Sequence, residues 1–402
     1  MRVFIIPSWF PSPSHPNAGI FFREQAEMYA EQFSEDKVGL VSWGQNDQRL
    51  LLEKSQLFRI PEKLLGARKI KSSEWEYESN FIEWFLPRFT WTRRFFQGNI
   101  HRIIHACDQA FSIFVARYGK PDLIHAHVGY PAGFIAWKLS EQHKIPFMIT
   151  EHMGPFPFAD FKKGTKLDDK LLGPLMHSHR NLAVSAHLQR ELNRYGIASS
   201  VFNNFIDDDH FQVGERQQSV DRIQLLHIGR LAPEKRQVDL LHAMFLLPNE
   251  IDFELVIAGE GPLKSDLIQL TKTLGLQGKV IFKGNLNREG IRQQLHRADL
   301  FVLSSSYENF PVALLEALAC GKPVVATRCG GPEEMVSDVN GLLANPFDPK
   351  DLSQKIMQAI ADLKAYDAQM IRGDFMDRYS RDQSLKKLRE IYAEVITAYH
   401  SK

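Results

Sequence analysis

The stretch SSSYENFPVALLEALACGKPVV, residues 304–325, decides the fold. An apolar run from Leu300 to Ser304 leads into it and a second, Pro323 to Thr327, closes it, both with strand composition. Between them Pro311 opens a run with helical spacing, because proline is tolerated in a first helical turn. Strand, helix and strand in this order form one unit of a parallel sheet. One residue does not fit a plain core helix. Glu316 stands among Leu314, Leu315, Ala317 and Leu318, and a carboxylate on a buried helix face needs a partner. Two partners stay open: a Lys or Arg from a neighbouring helix, or a vicinal diol such as ribose, which donates two hydrogen bonds. Glu308, at the carboxyl end of the strand, is placed to accept from the hydroxyls of a bound hexose. The N–H groups of the first helical turn, beside Asn309, Phe310 and Pro311, suit phosphate or sugar oxygens.

The same alternation extends in both directions. Arg2–Ile6, Val38–Ser42, Leu123–Ala126, Phe147–Thr150 and Asn181–Val184 read as strands, with helical patterns at Ile20–Phe33, Pro131–Gln142 and His187–Arg194. Residues 201–222, VFNNFIDDDHFQVGERQQSVDR, are polar and acidic and read as a linker. The pattern then restarts with Ile223–Ile228, Glu254–Ala258 and Val280–Lys283. The expectation is an α/β protein of two Rossmann-like domains facing a cleft, residues 1–205 and 206–374, followed by a helical segment at Phe375–Tyr399. Ligands of such sheets bind outside the carboxyl ends of the strands, which is where chemistry is to be sought.

Composition sets limits. The 402 residues are 44% hydrophobic and 24% charged, enough apolar material for two cores. With 49 basic against 48 acidic residues there is no global field for a nucleic acid. Cys107, Cys320 and Cys329 are the only cysteines; unpaired in spacing and set among apolar or small residues, they read as reduced thiols. MRVFIIPSWF reaches Pro7 too soon for a signal peptide, and no run of about 18 apolar residues reads as a membrane span. A cytoplasmic protein is the expectation.

The strand ends of the second half are the informative places. LLHIGRLAPEKR, residues 225–236, ends its strand at Gly229, with Arg230 and Lys235 after it and Pro233 at an expected helix start. A guanidinium and an ammonium near a helix N-terminus form a diphosphate site, and two solvated surface cations are the plain alternative. AGEGP, residues 258–262, carries Gly259 and Gly261, which allow backbone to approach a ligand closely. The dinucleotide fingerprint is incomplete, because Lys264 stands where its third glycine belongs, and no P-loop is present. Gly330-Gly331 before Pro332 is either an anion nest or a tight turn.

As a set, GR-x4-K at Gly229, Arg230 and Lys235, the AGEGP turn, E-x7-E at Glu308 and Glu316, and the GGPEE turn resemble glycosyltransferase family 4, the group-1 glycosyl transferases of bacterial polysaccharide type. The resemblance covers nearly all of residues 223–350. It implies a retaining nucleotide-sugar transferase of the GT-B fold, with Arg230 and Lys235 on the donor diphosphate, Glu316 on the ribose and Glu308 on the donor sugar. The first half resembles the family too. PSWFPSPSHPNAGIFFREQA, residues 7–26, places Gly19 at the cleft, and TEHMGPF, residues 150–156, supplies His152, which matches the family's cleft histidine near the donor sugar and acceptor. The final helix is expected to pack back on the N-terminal domain.

His125 and His127 share a strand face near His152, which invites a zinc reading, but no Cys or carboxylate completes a set at a typical spacing. Asp207-Asp208-Asp209 resembles a D-x-D metal motif only superficially, and the family needs no bound metal. Residues 58–104 interleave Trp84, Phe85, Phe89, Trp91, Phe95 and Phe96 with Arg88, Arg93, Arg94 and Arg102. That mixture suits an anionic membrane surface or a lipid-diphosphate acceptor, and equally a buried helix with snorkelling arginines.

The expected function is transfer of a hexosyl group from a UDP-, GDP- or ADP-sugar to an acceptor hydroxyl on a sugar or lipid-linked glycan. No cofactor, metal or nucleic acid is called for. The expected setting is cell-surface polysaccharide or glycolipid assembly at the inner face of a membrane. His152, Glu308, Arg230 and Lys235 are the expected catalytic group. The donor contacts are Gly19, Gly229, Arg230, Lys235, Gly259, Gly261, Glu308, Asn309, Phe310, Pro311 and Glu316. A nucleotide-sugar epimerase and an inactive sugar-nucleotide-binding module are the other classes.

Overall fold

A computed structural model describes residues 1–401 apart from 14, 46, 53–59, 78–79, 92–95 and 215–221. The chain divides into two compact units. The first comprises Met1–Val184, Gln189–Phe202 and Asp382–Lys402, and the second Ser185–Leu188 and Asn203–Arg381.

The first unit is built on one sheet of eight strands: β1 Arg2–Pro7, β2 Lys37–Ser42, β3 Ser73–Tyr77, β4 Phe81–Phe85, β5 Leu123–His127, β6 Phe147–Glu151, β7 Arg180–Ala183 and β8 Ser200–Val201. Their order is β8-β7-β6-β5-β1-β2-β4-β3, and every pair is parallel except β3 with β4. Central strands buried on both faces read as continuous apolar runs, which is why RVFIIP and FMITE were legible. Helix α1, Ile20–Gln32, follows the first loop. One core of this unit is aromatic: Phe4 lies edge-on to Phe111 and Phe114 at 5.4 and 5.9 Å, and Trp84 meets Phe114 at 6.2 Å. Gly39 in β2 makes room for it, because a Cβ there would stand 2.5 Å from the Phe114 ring.

This packing corrects the reading of the aromatic and basic stretch. Its centre, FIEWF, is neither helix nor surface but the inner strand β4, and Trp84 is 1% exposed. Phe85, Phe89, Trp91 and Arg88 are half-buried, whereas Arg93, Arg94, Phe95 and the side chain of Phe96 lie outside the described residues.

The second unit carries β9 Ile223–Ile228, β10 Phe253–Ala258, β11 Val280–Gly284, β12 Leu300–Leu303, β13 Val324–Thr327 and β14 Gly341–Ala344, all parallel in the order β11-β10-β9-β12-β13-β14. The chain reverses direction across the sheet between β9 and β12. That switch point opens a crevice at the strands' carboxyl ends. The helices that matter there are α3 Gln237–Phe245, α4 Arg288–Arg297 and α5 Val312–Ala319; α2, Ala186–Asn193, begins in this unit and continues into the first. Leu225, Leu240, Leu255, Leu300 and Ile356 form part of its apolar core.

The helical pattern at Phe375–Tyr399 is two helices, not one, broken at Ser380. Ala368–Tyr379 belongs to the second unit, and Asp382 onward, most of α6 Arg381–His400, belongs to the first. Polar anchors tie α6 there. Tyr392 Oη lies 2.8 Å from His125 Nδ1, and Arg389 reaches Glu35 at 2.5 Å and Asp36 at 3.1 Å. Asp36 is fully buried and also accepts from Tyr29 Oη at 2.7 Å and from the chain's amino terminus. Burial alone would raise its pKa; these donors outweigh it and hold the carboxyl below the ordinary range.

Candidate active site

The loop after β9 and the loop after β12 leave the sheet side by side at the switch point; Gly229, Arg230 and Lys235 sit on the first, and Glu308, Asn309, Phe310 and Pro311 on the second. Arg230 is exposed, and among the described residues its guanidinium meets no carboxylate. Lys235 ends a single tight turn, Pro233–Lys235; Arg236 then turns left-handed and the helix proper starts at Gln237, so Pro233 opens that turn and not the helix. Lys235 Nζ lies 2.5 Å from Glu308 Oε1, which also accepts from Ser305 Oγ at 2.6 Å. The second oxygen of Glu308 takes no partner among the described residues. The loop is fixed from below, since Ser306 N donates to the Glu234 carbonyl at 2.8 Å and Ser304 Oγ to the Lys235 carbonyl at 2.9 Å.

Asn309, Phe310 and Pro311 lead into α5, whose N-terminus carries no side-chain cap. Pro311 is extended and flanks the helix without entering it. Glu316 is buried, and its partner is a cation from the neighbouring helix: Arg288, the first residue of α4, donates to Oε1. The Arg288 guanidinium also lies over the Phe211 ring at 4.5 Å. The simpler of the two open readings of Glu316 is therefore the one present here, and a ribose contact is an addition to it.

The glycines act differently from expectation. Gly259 has φ +139°, and a Cβ on it would stand 2.0 Å from the Gly229 carbonyl oxygen; a Cβ on Gly261 would stand 2.2 Å from the Leu231 oxygen. The close approach they permit is between the loops after β9 and β10, not to open ligand space. Gly331 does the same against Asn309, with 2.0 Å to its oxygen. The GGPEE turn is therefore packed against the Glu308 loop and is no open anion nest. Gly330 N donates to Glu333 at 3.2 Å, and Glu334 accepts from Ala186 N and His187 N at 2.8 and 2.6 Å, capping α2. Gly229 itself is less constrained, with the nearest atom to its Cβ position, His227 Nε2, at 3.4 Å.

In the first unit, His152 follows directly on β6. Its Nε2 is 3.2 Å from His127 Nδ1, and the Phe22 ring lies edge-on at 4.9 Å. Burial, with His125 nearby, lowers its pKa to about 3, so the ring is neutral at physiological pH. Its backbone is set by Glu151, whose buried carboxylate accepts from the N–H groups of His152, Met153 and Gly129 at 2.9, 2.7 and 2.9 Å. Nothing in the sequence pattern singled out Glu151, since a strand-end Glu reads as solvated. His125 spends Nε2 on Thr150 Oγ1 and Nδ1 on Tyr392 Oη, each at 2.8 Å. Among the described residues no cluster of His, Cys, Asp or Glu is arranged to hold a metal. Asp207 and Asp209 pair with Arg381, and Asp208 accepts from its N–H at 2.9 Å. Gly19 caps α1 at φ +67°, where a Cβ would stand 2.6 Å from the Trp9 oxygen. A cavity of 360 Å³ lined by Ser178, Asn181 and Ser199 opens at the amino end of β7, away from these strand ends.

Two family models match, one described as glycosyl transferases group 1 over residues 209–373, the other as glycosyltransferase family 4 over residues 75–210. The chain belongs to glycosyltransferase family 4. This family-4 chain is 32% identical over 248 residues to a putative teichuronic acid biosynthesis glycosyltransferase, TuaC, of Bacillus subtilis, covering 59% of this chain and 60% of that one. It thus spans less than two thirds of that relative's length. Its fold is GT-B. Sucrose-phosphate synthase of Thermosynechococcus elongatus superposes with a TM-score of 0.78 at 19% identity, covering 99% of this chain and 100% of the other. Anabaena HepE, solved in complex with UDP-glucose, superposes with a TM-score of 0.68 at 19% identity, covering 98% and 100%.

Proposed function

We propose that the protein is a retaining hexosyltransferase that takes its sugar from a nucleotide-diphospho-sugar bound at the β9–β12 switch point. The observation that carries this reading is the convergence there of Arg230, the Lys235–Glu308 pair and the uncapped N-terminus of α5. Two cations and a helix N-terminus favour a diphosphate, and most of all one that gains charge as a bond breaks. On this reading the bond between C1 of the sugar and the β-phosphate oxygen breaks with its electron pair moving to that oxygen. Arg230 and Lys235 stabilise the charge. The acceptor hydroxyl bonds to C1 from the same face and passes its proton to the departing phosphate. On this reading Glu308 is taken up by Lys235, Ser305 and the sugar hydroxyls, and no other carboxylate among the described residues of these two loops is assigned as a covalent nucleophile, which favours this route for retention.

Glu308 holds hydroxyls of the sugar through its open oxygen, and Glu316 holds the ribose while paired to Arg288. His152 serves the acceptor-binding unit as a neutral hydrogen-bonding group, since a ring with so low a pKa is no proton donor at pH 7. HepE in complex with UDP-glucose supports a UDP-sugar as the first donor to try, and the name of the Bacillus relative supports an acceptor in cell-surface polysaccharide assembly. The test is release of nucleoside diphosphate from UDP-glucose, UDP-N-acetylglucosamine, GDP-mannose and ADP-glucose. Slow hydrolysis of one donor, reduced about 100-fold or more in Arg230→Ala, is expected. Hydrolysis unaffected by that substitution would contradict the assignment.

A further inference from the structure

We infer that the buried His227–Gln237 pair positions Arg230 for the donor diphosphate, an inference that rests on the donor-site reading above. Both side chains are 0% exposed, so they act from beneath the loop. His227, in β9, turns Nδ1 to the carbonyl of Val302 in β12 at 3.0 Å. A carbonyl only accepts, so Nδ1 carries the proton. Burial lowers the ring's pKa to about 4, which leaves Nε2 as a bare lone pair. That lone pair takes one N–H of the Gln237 amide at 3.2 Å, and the amide's nitrogen also reaches the carbonyl of Arg230 at 2.9 Å. Turning the amide over would set its oxygen against two acceptors, so its orientation is fixed. The amide oxygen is buried with no hydrogen-bond partner among the described residues, so the side chain is held through its donors.

The relay therefore runs from the two strands that define the switch point to the main chain of the residue that carries the guanidinium. Glu234 and Lys235 have their carbonyls held by the β12 loop, and Gln237 does the same for Arg230. The Arg230 side chain is long and exposed, and the aim of its stem follows from the peptide that Gln237 grips. Gln237 is thus a positioning residue for a group it never shields, and His227 sets Gln237.

Calorimetric titration with UDP, GDP and ADP to millimolar concentration tests this, on wild type, Gln237→Met, Arg230→Ala and the double variant. Gln237→Met keeps the volume and removes both donors. For the tightest diphosphate, we expect about tenfold weaker binding from Gln237→Met when Arg230 is present. In the Arg230→Ala background the same change costs under about twofold, because positioning is void once the positioned group is gone. Equal weakening in both backgrounds, or none in the first, overturns the inference. If Gln237→Met does not fold, His227→Asn replaces it with the same two outcomes, since its amide N–H can still serve Val302 while no atom stands at the Nε2 position that Gln237 meets. A wild type that binds none of the three diphosphates overturns the donor-site reading, and the inference with it.

Discussion

Lys235 Nζ lies 2.5 Å from Glu308 Oε1, joining the loops after β9 and β12 across the switch point of the second sheet. The carboxylate side chain is 10% exposed and the lysine 23%, so the pair is shielded enough to matter. Lys235→Ala leaves Glu308 facing Ser305 alone. We expect a loss of about 2 kcal/mol in stability, read by urea unfolding, and a loss of about 100-fold or more in turnover. Full turnover in this variant would remove Lys235 from the chemistry.

Arg288 and Glu316 make a second, more buried pair, with side chains 23% and 4% exposed. Removing one member of such a pair is costly, while replacing both with apolar groups is often neutral. Arg288→Met is expected to destabilise by about 3 kcal/mol, and adding Glu316→Leu to recover most of that. Donor affinity should not recover with stability in the double variant, because the carboxylate assigned to the ribose is gone. Recovery of both would show that Glu316 is structural only.

Gly259 tests the loop packing. With φ +139° and 2.0 Å between a would-be Cβ and the Gly229 oxygen, alanine fits neither the conformation nor the space. Gly259→Ala should cost at least about 2 kcal/mol in chemical unfolding. Gly229→Ala meets only ordinary contacts and should cost about 1 kcal/mol or less. The reverse order would mean that the two loops do not pack as described.

Much of this was legible in the chain. Five of the six strands of the second unit were readable, the central ones because parallel strands buried on both faces leave unbroken apolar runs, and the charged residues after them stood out against those runs. Gly341–Ala344 was not, since four residues opening on glycine make too short a run. Glu316 announced a buried partner but not which one, since Arg288 is remote in sequence and pairs only through the fold. The edge strand Ser73–Tyr77 and the inner strand Phe81–Phe85 escaped because their aromatic residues among charges fit a surface pattern as well as a strand. His227 and Gln237 escaped because a single polar residue in a strand or at a helix start carries no period. The glycines were found, but their purpose depends on which backbone lies opposite, and that is a property of the fold alone.

Buried histidines give the protein a pH dependence of known sign. His125, His152 and His227 have pKa values lowered by burial to about 3, 3 and 4, against an ordinary value of 6.5. Below pH 6.5 the unfolded chain takes up protons that the fold refuses. Their stabilising contribution is complete above 6.5 and falls as the pH drops toward 3–4, at up to about 1.4 kcal/mol per pH unit for each ring. The melting temperature should decline from pH 6.5 to 4.5, and His227→Gln should decline less steeply than wild type. An equal slope would mean that His227 is protonated in the fold.

The most direct measurement is thermal melting of wild type and Arg230→Ala with a panel of UDP-, GDP- and ADP-sugars. A ligand that binds only the fold stabilises it by about 2.7 kcal/mol at a hundred times its dissociation constant. One sugar nucleotide is expected to raise the wild-type melting temperature by several degrees and to raise that of Arg230→Ala by much less. No rise with any of them at millimolar concentration, or an equal rise in the variant, would contradict a donor site at the end of β9.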